Sequence, residues 1–249
     1  MAETDSGNRN PAEVDPATGR AIGVVIAQGA ARRPQRRILP GRLVSLEPLD
    51  AGAHADSLHE STRGPEGDAL YLYLPYGPFP DRASFHADLR EKARSEDPLY
   101  FGIVDTRSGL AVGHASYLRI APEHCCIEVG SILYAPKLQR TAAATEAMYL
   151  MARHAFEDLG YRRYEWKCDA LNAPSRRAAL RLGFTFEGIF RQHLIIKGRN
   201  RDSAWFSMLD SEWPARKRAF EKWLDPSNFD AQGNQRTPLS AMIPSSRNT

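Results

Sequence analysis

The sequence predicts an α+β fold, a mixed and mostly antiparallel central sheet flanked by helices, with elements in the order βααβββαβαββ. Three observations carry this. The hydrophobic period switches repeatedly between two and about 3.6 over residues 38–225. Three strand-like runs follow one another through short connections before the longest helix-like stretch. Glycine and proline punctuate the changes of period. Elements alternating in this way bury their apolar faces by packing helices on one sheet.

Leu43, Val44, Leu46 and Leu49 read as the first strand and residues 51–61 as a helix, followed by the aromatic stretch Tyr71–Tyr76. Asp81 suits the cap of a helix reaching about Arg94, with Phe85 and Leu89 four residues apart on one face. Strands are expected at Leu99–Asp105, Leu110–Leu118 and Cys125–Tyr134. The short Thr106–Gly109 connection favours an antiparallel hairpin. Residues 142–159 are strong helix formers that align Ala147, Leu150, Met151 and Ala155, and Gly160 stops them. A strand over 162–168, a short helix over 174–182 ended by Gly183, and strands over 184–195 and 203–210 complete the order.

Composition limits the function classes. An apolar fraction of 42% and a charged fraction of 25% over 249 residues fit one main domain, with no run near the roughly 18–20 apolar residues that cross a bilayer. Residues 1–37 are expected to be a partly ordered N-terminal arm, 38–225 the folded domain and 226–249 a C-terminal tail. Within the arm, Arg32, Arg33, Arg36 and Arg37 fit either a phosphate or RNA contact or a solvated linker. Residues 1–19 lack a basic-then-apolar signal pattern, so a soluble, cytoplasmic protein is expected. Cys125, Cys126 and Cys168 have neither disulfide nor zinc spacing and read as reduced core thiols, so no metal is expected. A net charge of +3 is too small for a nucleic-acid partner.

The functional signal lies at the turn Pro136–Thr145, where small residues open the longest helix. Amides without intrahelical partners and the positive end of the helix dipole suit a diphosphate there, and Arg140 and Thr141 add a charge and a hydroxyl. A helix that simply starts with alanines for propensity is the other reading. The run from Gln139 to Ala147 resembles the coenzyme-A-binding motif of the GNAT (GCN5-related) N-acetyltransferases. At suitable spacing follow Asn172-Ala-Pro-Ser175, Leu180–Phe184 and Glu187–Arg191. The resemblance covers about residues 40–212 and is nearest to the RimJ/RimL-like branch, which includes N-terminal acetyltransferases of ribosomal proteins. In the family's phosphate loop, Q/R-x-x-G-x-G/A, the defining positions hold Gln139, Ala142 and Ala144; Ala142 departs from the usual glycine and would be strained at positive φ.

The resemblance implies acetyl-CoA as cosubstrate, coenzyme A as product, and transfer to the amine of a small molecule or a peptide N-terminus. It implies that residues 139–145, with Ala143 and Thr145 among them, cradle the diphosphate, with Asn172 nearby, and that the backbone of Ile132, Leu133 and Tyr134 meets the pantetheine amides at a splay between strands. Such chemistry needs a free amine, a stabilised oxyanion and a proton for the thiolate. By resemblance Glu128 is the base, directly or through water, and Ser175 the proton donor. Against these stand an exposed polar strand residue and a helix-cap serine. Tyr71, Tyr73 and Tyr76 fit an acceptor wall or core packing. Arg201 fits recognition of an acceptor's charge, or a hairpin-turn ion pair with Asp202. His193 is left without a role. The competing functional class is a non-catalytic acyl-CoA sensor or interaction module on the same fold. No membrane is expected, and self-association as a homodimer is left open.

Overall fold

In the computed structural model, residues 12–243 are described. Strands β1 (Ala12–Val14) and β2 (Ala21–Gly23) form a separate hairpin. The main sheet contains β3 (Leu39–Pro40), β4 (Val44–Pro48), β5 (Leu99–Asp105), β6 (Ala111–Ala121), β7 (Cys126–Tyr134), β8 (Arg163–Asp169), β9 (Thr185–Ile196) and β10 (Arg199–Leu209). Their spatial order is β3-β4-β5-β6-β7-β8-β10-β9. Every neighbouring pair is antiparallel except β7 and β8, which run parallel through a helical crossover.

Strand alternation divides the core between the two faces. On one face Tyr100 and Val104 of β5 pack with Leu58 of α1 (Ala51–Thr62) and with Phe85 and Leu89 of α3 (Arg82–Arg94). On the other, Phe101 and Ile103 join a larger core with Ala147, Leu150 and Met151 of α4 (Ala142–Arg153) and Phe220 and Trp223 of α6 (Trp213–Leu224). Period-two alternation on β5 thus feeds both helix layers. Asp81 caps α3 by accepting from the Ser84 amide at 2.8 Å, as its position before the helix suggested. The buried Glu146 of α4 crosses to the sheet edge and accepts from the amides of Arg42 (3.2 Å), Leu43 (2.6 Å) and Val44 (2.9 Å), fixing the start of β4 to the helix.

Several elements differ from the sequence reading. A single turn, α2 (Gly64–Asp68), follows α1. The long helix is α-helical to Arg153 and then widens into a π-turn over His154–Asp158, where the Leu159 amide reaches back to the His154 carbonyl at 3.1 Å. The His154 ring sits 2.6 Å from Asp158 across that turn. Two of the arm's exposed arginines bond to the domain: Arg32 donates to the Asp158 carbonyl at the end of the wide turn, and Arg36 to the Ser95 carbonyl at 2.7 Å. Cations there complement the negative end of the helix dipole.

Residues 225–243 pack back against the domain. Asn228 is buried, donating to the carbonyls of Trp223 (3.1 Å) and Thr237 (3.2 Å) and accepting from the Thr237 amide at 3.0 Å. A last turn, α7 (Leu239–Met242), inserts a fully buried Leu239 into the larger core. All three cysteines are free; Cys125 and Cys168 are buried and Cys126 is half-buried. Among the described residues no helix is long and apolar enough to cross a membrane.

Candidate active site

The site is built by one irregularity in β7. Between the pairs His114–Leu133 and Ser116–Gly130, three steps along β7 match two along β6, and Ser131 takes the extra position at φ 48°. Such a bulge bends its strand and raises local twist. On the other edge, parallel pairing with β8 runs from Cys126–Arg163 to Val129–Trp166 and ends there. Leu133 and Tyr134 pair with β6 on one edge, so the amides and carbonyls of residues 130–134 on the other face an opening between β7 and β8. The opening leads into a cleft of about 340 Å³.

Glu128, Asn172, Ser175, Tyr73 and Arg201 all line this cleft, as does Ile132. Glu128 is only 4% exposed, not a polar residue on an open strand face. Parallel register places it level with Glu165 and beside Lys167, whose Nζ lies 2.5 Å from Glu128 Oε2; the Arg119 guanidinium stands at 3.7 Å. Burial pushes the Glu128 carboxyl up to about 7, against the pull of Lys167. Burial likewise pulls the Lys167 ammonium down, with Glu128 opposing it, and Lys167 also lies 3.9 Å over the Trp205 ring. A buried carboxyl poised near neutral pH is what proton abstraction at that pH requires.

Asn172 and Ser175 open α5 (Ala173–Arg181), the helix expected from Asn-Ala-Pro. Asn172 Oδ1 accepts from the Ser175 amide at 3.1 Å, so asparagine supplies the cap and the serine hydroxyl is released from that task. Trp166 Nε1 donates to Ser175 Oγ at 3.0 Å, which leaves the hydroxyl proton available to another acceptor.

At the start of α4, Thr141 is the cap: its Oγ1 accepts from the Ala144 amide at 3.2 Å and donates to the Leu138 carbonyl at 2.7 Å. The helix offers no partner to the amides of Ala142 and Ala143. Ala142 is the first helical residue, so alanine there carries no strain; the left-handed conformation falls on Arg140, at φ 60°. Gln139 donates to the Tyr134 carbonyl at 3.2 Å, tying the loop to the end of β7. Thr145 accepts from Arg181 Nη1 at 3.1 Å, linking α4 to α5.

The three tyrosines separate. Residues 69–71 form a 3-10 turn, so the aromatic stretch does not alternate as a strand would. Tyr71 is buried edge-on to Tyr76 and Phe79, and Tyr76 lies 3.4 Å beneath the Lys92 ammonium. Tyr73 overhangs the cleft and donates to the Leu171 carbonyl at 3.3 Å. The same loop is held from the other side by Lys197, which donates to the Tyr71 carbonyl at 2.8 Å. Arg201 and Asp202 lie inside β10 rather than in a turn; the hairpin reverses at Lys197–Gly198, and Asp202 accepts from the Gln192 amide instead of pairing with Arg201. Sequence reasoning missed Lys167, Arg119 and Trp205, which reach Glu128 or its partner only through strand register. His193, left without a role, also lines the cleft and shares a 2.9 Å contact with Ser203.

Residues 44–185 match the family described as acetyltransferase (GNAT) domain. The chain is 46% identical to a GCN5-related N-acetyltransferase from Brucella melitensis, at a TM-score of 0.85 over 87% of this chain and 98% of that one. It is 39% identical to a protein from Chromobacterium violaceum assigned to the GNAT acetyltransferases, at 0.73 over 81% and 100%. An acetyltransferase from Salmonella typhimurium that modifies the N-terminal serine of a 50S ribosomal subunit protein is 18% identical, at 0.60 over 70% and 99%, a likeness of fold alone. No curated protein matches the chain in sequence.

Proposed function

The chain belongs to the GNAT acetyltransferases, and on that premise we propose that it transfers the acetyl group of acetyl-CoA to a primary amine, of a small molecule or a peptide N-terminus, by direct attack in a ternary complex. The observation that carries this reading is the unpaired edge of β7, with an amide-rich helix start at one end and Glu128 and Ser175 on the walls beside it. The pantetheine amides extend the sheet along Ile132–Tyr134, and the diphosphate takes the free amides of Ala142 and Ala143 with Arg140 alongside. A RimJ/RimL-like role on a protein N-terminus belongs to the same proposal.

In the transfer the amine nitrogen bonds to the thioester carbonyl carbon and the carbon–sulfur bond breaks. Glu128 takes the proton the amine loses, and Ser175 gives one to the departing thiolate. Backbone amides of Ile132–Tyr134 donate to the developing oxyanion. The test is an acetyl-CoA turnover screen over amino acids, polyamines, aminoglycosides and short peptides, with acetyl-CoA affinity measured in parallel. Transfer to at least one amine class is expected. Tight acetyl-CoA binding without transfer to any amine would instead identify an acyl-CoA sensor.

A further inference from the structure

We infer that the acceptor is a small amine that also carries a carboxylate, with Arg201 as the carboxylate's partner; this deepens the acetyl-transfer reading above and rests on it. The lining of the cleft contains three cations, Arg119, Lys167 and Arg201, against two carboxylates, Glu128 and Asp169. Both carboxylates are already engaged. Glu128 lies between Lys167 and Arg119, and Asp169 accepts from the Leu171 amide at 2.8 Å. Arg201 is different. Among the described residues it has no carboxylate within ion-pair distance, and its Nε is buried without a hydrogen-bond partner.

A buried guanidinium N–H without an acceptor is costly, and a carboxylate is the group whose two oxygens match its fork. The surroundings agree. Burial holds the His193 imidazole below its usual range, and Lys167, Arg201 and Arg119 add to that effect, as a field of positive charge would. A polyamine or aminoglycoside would bring further positive charge into this lining. An amino carboxylate brings one positive and one negative group; Glu128 on β7 and Arg201 on β10 both line the cleft, and of the two it is Arg201 that lacks a counter-charge. A volume near 340 Å³ suits a molecule of amino-acid size.

The test compares acceptors matched except for the carboxylate: glutamate against glutamine, and β-alanine against its amide, with spermidine and kanamycin as polycations. The carboxylate member of at least one pair is expected to have a kcat/KM about ten- to a hundredfold higher. Arg201→Gln should erase that preference mainly through KM, while leaving acetyl-CoA affinity and Tm near wild type. Arg201→Lys, which keeps the charge but loses the fork, should recover part of it. Equal turnover of the matched amines, preference for a polycation, or discrimination unchanged in Arg201→Gln would overturn the inference. If no amine is acetylated, calorimetric titration of glutamate into the CoA-bound protein separates the two claims. Binding lost in Arg201→Gln would retain the carboxylate site and sink the transfer reading, whereas absence of Arg201-dependent binding would sink the carboxylate site as well.

Discussion

Glu128 is held between two opposing effects, burial that favours its neutral form and a lysine at 2.5 Å that favours its charge. With its carboxyl near 7, the basic form grows in as pH rises, so kcat/KM should climb through neutral pH. Glu128→Gln is expected to lower kcat at least about tenfold and to abolish that acidic limb, with a smaller loss in acetyl-CoA affinity. Wild-type turnover with the limb intact would make Glu128 structural. Lys167→Met gives the complementary result. Without the ammonium, burial acts on Glu128 opposed mainly by the more distant Arg119, so the limb should move to higher pH. Activity at pH 7 then falls and returns on the alkaline side. A limb that stayed put, or moved down, would show that Lys167 does not set the carboxyl's proton affinity. Ser175→Ala should cost less than Glu128→Gln, because water can replace a hydroxyl donor.

At the scale of elements, the loop before α4 joins a binding role to a local backbone cost. Arg140 holds φ 60°, a conformation that disfavours a side chain by about 1–2 kcal/mol relative to glycine. Arg140→Glu should weaken acetyl-CoA binding by setting a carboxylate against the diphosphate, and calorimetry should register the loss. Arg140→Gly separates charge from backbone. The relieved strain offsets the extra freedom of the unfolded chain, so stability should stay within about 1 kcal/mol of wild type while affinity still falls. Unchanged affinity in both variants would remove Arg140 from the diphosphate site. Much of this level was legible in the sequence, because caps and periods are local: Asp81, Asn172 and the bounds of β5 follow from neighbours a few residues away. The fourfold set of Glu128, Lys167, Arg119 and Trp205 was not. It depends on the register of β7 against β8 and of β8 against β10, strands more than thirty residues apart in sequence, with Arg119 brought in from β6. The helix Trp213–Leu224 was within reach, since Trp213, Arg216, Phe220, Trp223 and Leu224 repeat at helical spacing on its buried side.

At the scale of the whole molecule, the polar composition after Leu224 suggested a tail, yet a handful of side chains fold residues 225–243 back as a brace. Polar sequence hides this because the anchoring comes from single residues rather than a periodic face. Leu239 is wholly buried, and Asn228 satisfies main-chain groups on both Trp223 and Thr237. Trp223 in turn donates to Gln235 at 2.8 Å and lies beneath the Arg181 guanidinium at 4.9 Å. Arg181 sits in α5, the helix that presents Ser175, and reaches Thr145 in α4. The brace therefore connects the C-terminal segment to α5, which lines the cleft, and through Arg181 to α4. Leu239→Ala should cost about 2–5 kcal/mol through the cavity it leaves, and Asn228→Ala about 1–3 kcal/mol through the stranded Thr237 amide, each read from chemical denaturation. Removal of residues 226–249 should go further, lowering Tm and also loosening the packing that positions α5. Its signature is a fall in acetyl-CoA affinity larger than the one seen in Leu239→Ala at a temperature where both proteins remain folded. If the truncated protein lost stability but bound acetyl-CoA as the full chain does, the segment would support α6 alone and the route through Trp223 and Arg181 would carry no weight at the site.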